Sequence, residues 1–578
     1  MKRCSPTQAY AARRDGQRPA RCPPLRTPAG RVTPVSQTAT PARAHTAPLA
    51  PASAFSLSSL MTRLTGTTTG SWRGVLGPAA FWVPLAIMLV AGLLRFWNLD
   101  HPGKIIFDET YYVKDAWSYL HFGYEREWPK DIDKAFAEGT ATPMDKPEYV
   151  VHPPLGKWII TLGMLVFGTE SGLGWRAGSA LMGTLAVLFV TLAAQRLFRS
   201  VPLAAVAGIF MAVDGQQIVL SRTGILDISY GALVALCFYL VLVDRDWGRR
   251  RLAQKVASAA QAGGGVPSKA FMSWGPWVAL RPWRIALGIS LGALCSIKWS
   301  GLAFVGVFGL LIVWWDCQAR RTAGIQHWLA AGAVRDGLPG FVQLVPVALV
   351  TYVATWTGWF LNPGAYGHGL TAKATGWVTN IPEPLRDLWN YHSTAYTFHQ
   401  GLTSPHPAAS NPWTWLFAGR PVLFQYDTSE SHGVPCDAGQ SCIQVMTELP
   451  NPVLWWAGTA ALLVVLWAFL AKRDWRALAL LAGIVAGYVP WLFFPYRTMF
   501  IFYTTGYQPF MVLAVVYALS LLALPRGASA TRIKVGTAVI LGFTALVVVV
   551  SWWFWPVWTG QTITPEMYRM RIWFPSWG

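Results

Sequence analysis

An adjacent pair of acidic residues follows the first long apolar run of the chain. The stretch FDETYYVKDA (107–116) places Asp108 and Glu109 shortly after the run at 79–98. A carboxylate can accept the proton of an attacking hydroxyl group, so this pair could supply a general base. Asp108 and Thr110 also occupy positions typical of a helix N-cap, and on spacing alone capping is an equally good interpretation of Asp108.

A second motif in the same segment could bind an anion. VHPPLGKW (151–158) opens an apolar helix, predicted at about 155–168, with its prolines at the start of the helix. His152 and Lys157 beside a helix N-terminus would favour a phosphate or carboxylate. A proline turn, with a lysine that extends toward the membrane surface, is the alternative interpretation.

Further charged residues fall at the ends of later apolar runs. They are Arg176 in GLGWRAGS, Asp214, Arg222 and Asp227 in VDGQQIVLSRTGILDIS, Lys298 in SIKWSG and Arg497 in FPYRTMF. Ionisable groups at membrane depth are costly and are usually functional or paired. Salt bridges could explain any one of them, but they explain less well why acids and bases from separate segments share one membrane face.

These residues predict a site that binds a lipid-linked phosphate and activates a hydroxyl group. The candidate catalytic residues are Asp108 and Glu109, and the candidate phosphate ligands are His152, Lys157, Arg176, Arg222 and Lys298. Further candidates are Asp214, Asp227 and Arg497. No cluster of His and Cys has convincing metal-ligand spacing, so no metal site or cofactor is assigned and a need for a divalent metal is left open.

Continuously apolar segments must position this site. The 578-residue chain is 53% hydrophobic and 13% charged, and apolar runs near twenty residues long recur along it. This predicts an all-α polytopic membrane protein rather than an outer-membrane barrel, whose strands would alternate. About eleven spans are predicted, at 79–98, 175–195, 202–217, 225–243, 284–297, 300–316, 340–359, 452–471, 477–494, 500–524 and 534–555.

Two loops between these spans are expected to lie outside. Basic residues concentrate in 244–284 and other short loops, while acids are more frequent in 99–174 and 360–451. The Lys/Arg bias therefore predicts a cytoplasmic amino terminus and an extracytoplasmic site. In 99–174, Val113, Trp117 and Leu120 form an apolar stripe, which predicts a short helix lying along the membrane surface.

The amino-terminal tail and the cysteines fit this scheme. Residues 1–75 are rich in Arg, Ala, Pro, Thr and Ser and predict a disordered, basic cytoplasmic tail, within which Met61 is an alternative start. The net charge of +20 fits membrane orientation better than nucleic-acid binding. Cys436 and Cys442 fall in a predicted outer loop, where either a disulfide or two free thiols is possible.

The pairing of FDETYYVKDA with HPPLGKW resembles the protein O-mannosyltransferases, membrane glycosyltransferases of the GT-C class. The resemblance extends from about residue 75 to the end, through SRTGILDIS, SIKWSG, SNPWTWLFAGRPV and FPYRTMFIFYTTGYQPF. It implies one GT-C catalytic domain over 76–578, with Asp108 as the base and Glu109 beside it. The 360–451 loop is too short for the β-trefoil domain of eukaryotic members, which points to the bacterial, actinobacterial-type branch.

The resemblance also implies a substrate pair and a location. The donor would be a polyprenyl-phosphate mannose, and the acceptors would be Ser/Thr hydroxyl groups of exported proteins, met near the Sec translocon at the plasma membrane. Transfer would invert the sugar in a single displacement. A related lipid-phosphate glycosyltransferase acting on a glycolipid or cell-wall glycan is the first alternative. A transporter of the lipid carrier is the second, but no internal repeat favours it.

Overall fold

The computed structural model describes residues 52–66, 77–437, 439–523, 525 and 527–578. Residues 1–51 and 67–75 of the predicted tail, with Cys4 and Cys22, lie outside the described residues, as does residue 76. The helices of the first half are α1 (Leu57–Thr65), α2 (Pro78–Phe96), α3 (Glu109–Phe122), α4 (Asp133–Ala137), α5 (Leu155–Phe167), α6 (Gly172–Phe198), α7 (Val201–Val213), α8 (Gly215–Ser221), α9 (Asp227–Ala262), α10 (Lys269–Trp274), α11 (Pro282–Cys295) and α12 (Gly301–Ala323).

The second half adds eleven helices and three short strands. The helices are α13 (Trp328–Gly332), α14 (Leu338–Ala354), α15 (Thr357–Leu361), α16 (Glu383–Gly401), α17 (Pro412–Trp415), α18 (Ser429–His432), α19 (Pro452–Lys472), α20 (Trp475–Gly487), α21 (Gln508–Ala523), α22 (Ala530–Thr559) and α23 (Pro565–Arg569). The strands are β1 (Val422–Thr428), β2 (Ile443–Glu448) and β3 (Thr562–Ile563), which pair antiparallel in the order β1-β2-β3.

Apolar helices account for the predicted spans. Within the described ranges, eight helical segments are long and apolar enough to cross a membrane, or nine if the bent pair α7–α8 counts as one span. The break between α7 and α8 bends the chain by 56° at Asp214. Two further predicted spans correspond to the shorter helices α11 and α21, so the count of eleven stays a prediction.

Two predicted boundaries are wrong. The span predicted at 225–243 continues as helix to Ala262, so much of the predicted loop 244–284 is helical. Its arginine, leucine and alanine residues are good helix formers, and its buried face packs against α1. The span predicted from residue 500 begins at Gln508, because Ile501–Gly506 form a 3₁₀ turn.

Part of the predicted disordered tail is folded. Residues Ala52–Phe55 form a 3₁₀ turn and α1 follows it, with Ser56 as N-cap and Gly66 as C-cap. Leu60 and Leu64 of α1 are buried against Leu252 and Val256 of α9. The prediction overlooked this helix because a short amphipathic segment has little stability by itself and depends on tertiary packing.

The buried centre of the bundle is built around α6 and α9. In the most apolar part of each helix, 67% of the residues of α6 and 83% of those of α9 are buried. The corresponding share is 17% in α2 and in α22, so these outer helices can face lipid. Small residues let the inner helices approach. A Cβ at Gly178 of α6 would lie 2.2 Å from the Ile159 carbonyl oxygen of α5, so only glycine fits there.

One end of the bundle carries the two long connections. Residues 97–171 and 355–451 contain α3, α4, α5, α16, β1 and β2, and they meet at the ends of α6, α9 and α12. We call this the loop end. The predicted surface helix is α3, in which Val113 is fully buried while Trp117 and Leu120 are half-buried.

Candidate active site

Asp108 lies at the N-cap position of α3, but its side chain does not cap the helix. Its carboxylate makes no capping hydrogen bond, and no described residue donates a hydrogen bond to it. The bond at this helix start comes from the next residue, since the Ile106 N–H donates to Glu109 Oε2 at 3.0 Å. The capping interpretation of Asp108 is therefore wrong, and its carboxylate is half-buried and available.

The Glu109 carboxylate is bound entirely by other groups of the protein. Its side chain is fully buried, and Arg176 donates to both carboxylate oxygens, at 2.7 and 2.9 Å. The Gly224 N–H adds a third partner at 2.7 Å. The remaining Arg176 hydrogen bonds go to the carbonyl oxygens of Leu99, Asp100, Pro102 and Lys104. Arg176 is fully buried and holds the start of α3 against α6, so the structure does not bring it to a ligand-facing position.

The residue before Asp108 has an uncommon backbone conformation. Phe107 has a φ of 48°, in the left-handed region that residues other than glycine rarely adopt. Its ring stacks on Phe424 of β1, with ring centres 4.1 Å apart, and lies edge-on to Phe502 at 5.8 Å. Backbone conformations of this kind cluster at functional sites, where the surroundings hold them in place.

A lysine and a second aspartate lie beside Asp108. Lys298 Nζ donates to Asp227 Oδ1 at 2.7 Å and lies 5.2 Å from the centre of the Tyr503 ring. Burial is the main cause that raises the pKa of Asp108, the charge of Asp227 adds to the rise and the charge of Lys298 opposes it, and together they bring this pKa to about 6. A carboxyl group with this pKa is ionised at neutral pH and is still basic enough to take a proton.

Arg497 contributes an unpaired positive charge. Its Nε is buried without a hydrogen-bond partner, and its guanidinium group pairs with no carboxylate in the described part of the chain. It lies close enough to His152 and His399 for its positive charge to help lower the pKa values of both imidazole rings, which burial lowers most. A cation left unpaired beside a buried polar site is suited to an anion that enters from outside the protein.

Two histidines complete the surroundings of these charges. The His152 and His399 rings lie 5.3 Å apart, and His399 Nε2 contacts the Val151 carbonyl oxygen at 3.2 Å. Burial, then the charge of Lys298, holds the pKa of His152 well below its usual range, and burial also lowers the pKa of His399. Both rings are therefore neutral at pH 7, so His152 can offer a phosphate a hydrogen bond but not a charge.

Three other predicted site residues are bound within the protein. Lys157 is buried and pairs with Glu125, with a second bond to the His152 carbonyl oxygen at 3.2 Å. Arg222 is fully buried and donates to the carbonyl oxygens of Arg95, Trp97 and Asn98, where α2 ends. Asp214 caps α8 and accepts from Asn451 N–H and Gln508 Nε2. Lys157 therefore lies next to His152, but all three side chains are bonded to partners within the protein.

Sequence reasoning assigned no residue from the loop at 360–451 to the site. His399 lies near the end of α16 and contacts Val151, which is about 250 residues earlier in the chain. No local sequence pattern indicates a contact over this separation. The aromatic and histidine content of that loop was the available signal. Tyr112 and Tyr503 were also missed, and both lie close enough to Asp108 for its charge to add to the burial that raises the pKa of their hydroxyl groups.

The structure also answers the questions that the sequence left open about a disulfide and about metal ligands. Cys436 and Cys442 are bonded to each other next to β2. In the part of the chain that the structure describes, no group of three or more His, Cys, Asp or Glu side chains could hold a metal ion. The site consists of Asp108, Asp227, Lys298, Arg497 and His152, a set that could bind a phosphate and accept a proton.

Comparisons with known proteins give the family. Residues 85–357 match the model described as dolichyl-phosphate-mannose-protein mannosyltransferase, and residues 384–577 match the C-terminal four-transmembrane region of protein O-mannosyltransferase. The polyprenol-phosphate-mannose–protein mannosyltransferase of Mycolicibacterium smegmatis (strain MKD8) is 34% identical over 516 residues, covering 87% of this chain and 94% of that protein. The Corynebacterium glutamicum protein of the same name is 32% identical, covering 89% and 98%.

A solved structure shows the same fold. The Saccharomyces cerevisiae protein O-mannosyltransferase Pmt1–Pmt2 complex, bound to the sugar donor, superposes with a TM-score of 0.63 at 14% identity, covering 90% of this chain and 94% of that one. The expected GT-C fold and a membrane protein with several spans are confirmed. The two family models cover the whole first long connection and, from residue 384, most of the second. The chain belongs to the protein O-mannosyltransferase family.

Proposed function

We propose that this protein transfers mannose from a polyprenyl-phosphate mannose to Ser/Thr hydroxyl groups of exported proteins. The reaction would take place at the extracytoplasmic face of the plasma membrane, with the amino terminus in the cytoplasm and acceptors arriving from the Sec translocon. The observation that carries the proposal is the Asp108 carboxylate, which has no hydrogen-bond partner among the described residues and lies near Lys298. Family membership supports the donor and the acceptor class.

The reaction is a single displacement in which Asp108 is the general base. The acceptor oxygen attacks the anomeric carbon of mannose, and its proton passes to a carboxylate oxygen of Asp108. The bond from the anomeric carbon to the phosphate oxygen breaks, and its electron pair leaves with the polyprenyl phosphate. Attack opposite the leaving group inverts the sugar, and no second carboxylate needs to act as a nucleophile.

The positive charges stabilise the leaving group. Arg497 has no carboxylate partner in the described ranges, and Lys298 has one, Asp227 at 2.7 Å. A phosphate that gains negative charge as the glycosidic bond breaks would draw on both cations. The fully buried Arg176 and Glu109 would not contact the donor, and they position Asp108 by fixing the start of α3.

The test is an assay with purified protein in detergent, labelled polyprenyl-phosphate mannose and a Thr-rich peptide. We expect label in the peptide. The Asp108→Asn variant should still bind donor but lose at least about 100-fold in transfer rate, because the amide cannot accept the proton. Asp131→Asn is the matched control, since Asp131 is exposed in the same connection and should leave the rate unchanged.

Two outcomes would contradict the proposal. Label that enters a glycolipid or glycan but never a peptide would show that the acceptor is not a protein. Transfer by Asp108→Asn at the rate of the unmodified protein would remove Asp108 from the mechanism.

A further inference from the structure

The small sheet at the loop end has an unpaired edge next to the catalytic aspartate. In the order β1-β2-β3, β2 is central and β1 has a neighbour on one side only. Phe424 of β1 stacks on Phe107, the residue immediately before Asp108. Lys104 Nζ also donates to Asp427 of β1 at 2.7 Å, so two contacts tie this strand to the segment that carries the base.

The register shows which backbone groups face the open edge. Ser429 N–H donates to the opposite Cys442 carbonyl oxygen at 2.9 Å, which makes this a hydrogen-bonded pair. Antiparallel pairs alternate, so Asp427 faces β2 while Thr428 and Tyr426 face away from it. The Thr428 N–H agrees with this alternation, because it donates to His432 Nδ1 at 3.3 Å and not to β2.

Tyr426 therefore presents an N–H and a C=O group at the open edge. No described segment other than β2 forms a backbone hydrogen bond with residues 422–427. The side chains of Leu423 and Tyr426 are 46% and 45% exposed, which leaves apolar surface beside the edge. Exposed edges of this kind are templates for a further strand, and proteins that do not use them usually cover them.

We infer that the acceptor polypeptide binds as an added strand on the open edge of β1, through backbone hydrogen bonds at Tyr426. This rests on the proposed function and names how that site holds its second substrate. Tyr426 lies two residues from Phe424, about 7 Å along the strand, so an added strand would pass close to Asp108. Main-chain pairing binds an extended segment with little regard to its sequence, and the nearby carboxylate then selects the hydroxyl group.

The test is a scan of acceptor peptides with the unmodified protein. Each peptide carries one Thr and one N-methylated backbone amide, placed at successive positions on either side of that Thr. An added strand turns every second N–H toward its neighbour, and Tyr426 offers one C=O group to accept one of them, so methylation should lower kcat/KM about tenfold at the position that faces Tyr426 and much less at the two adjacent positions. A flat profile, or equal losses at adjacent positions, would overturn the inference.

Two variants test the same contact from the protein. Tyr426→Ala removes the side chain and keeps the backbone N–H, whereas Tyr426→Pro also removes the N–H. We expect the peptide KM of the proline variant to exceed that of the alanine variant about tenfold, with donor KM equal in the two. Equal peptide KM values in the two variants would count against edge binding, and the peptide scan decides the matter if the proline variant does not fold.

Failure of this inference differs from failure of the proposed function. If no Thr peptide receives mannose, the function is wrong and the scan has no signal. If mannose is transferred with a flat methylation profile, the function holds and the acceptor does not bind to β1.

Discussion

Asp108 and Glu109 are adjacent in the chain, yet they have different surroundings. Glu109 is fully buried with three hydrogen-bond partners, whereas no described residue donates a hydrogen bond to Asp108. The distinction follows from the helix start, which directs the two carboxylates to different neighbours. A carboxylate saturated by an arginine and two N–H groups is a poor base, while one left unpaired in a half-buried position can accept a proton.

The raised pKa of Asp108 predicts how the rate depends on pH. The base works only when ionised, so kcat/KM for the donor should fall as pH drops through about 6 and level off above neutral pH. Asp227→Asn removes the negative charge that raises the pKa of Asp108, and it leaves Lys298 without its partner, so the midpoint should move to lower pH. Initial rates at donor concentrations well below its KM measure both curves. An unshifted midpoint in the variant would contradict this account of the site.

Arg497 should bind the phosphate of the donor. Because it has no partner carboxylate among the described residues, Arg497→Ala removes a charge without leaving a buried acid unpaired. Losing a hydrogen bond to a charged group costs roughly 1.5–3 kcal/mol, so the donor Kd should rise at least tenfold while thermal stability changes little. Arg569→Ala, at an exposed position of α23, is the matched control. An unchanged donor Kd for Arg497→Ala would exclude Arg497 from the phosphate site.

At the scale of elements, the start of α3 depends on α6. Arg176 of α6 joins Glu109 to the carbonyl oxygens of the segment between α2 and α3. We expect Arg176→Ala to lower the thermal unfolding midpoint clearly, because removing one partner of a buried pair costs about 3–5 kcal/mol. Donor KM should change far less than in Arg497→Ala.

A double variant separates the pair from other effects of Arg176. Arg176→Ala with Glu109→Ala removes both charges, so its midpoint should recover part of the loss, as measured by tryptophan fluorescence in detergent. If the double variant is less stable than the single one by the full cost of Glu109→Ala, the two residues are not coupled.

Helices were easier to predict from the sequence than the roles of charged residues. Continuous apolar runs located most spans, and the proline pair predicted the start of α5 correctly. The sequence could not predict that Arg176, Arg222 and Lys157 bind other parts of the protein. Their partners lie on segments that come close only when the chain folds. The strands were also missed, since strands this short have no distinctive pattern, and the open edge of β1 was missed with them.

At the scale of the whole molecule, charge is distributed unevenly between the two ends of the bundle. Away from the loop end, the continuation of α9 carries Arg245, Arg249 and Arg250, and Arg281 pairs with Asp244 and Asp316. At the loop end, the first long connection holds more acids than bases. Positive residues usually stay on the cytoplasmic side of a membrane, so this asymmetry predicts that the site faces outward.

Cysteine labelling tests that orientation in intact cells. Lys130→Cys lies in the exposed part of the first long connection, and Gln261→Cys lies at the exposed end of α9. A thiol reagent that cannot cross membranes should label residue 130 in intact cells, and it should reach residue 261 only after the membrane is opened. The three described free cysteines are buried, so they should contribute little background. If residue 130 were reachable only from the cytoplasm, the site would face inward, and an enzyme acting on exported proteins would be excluded.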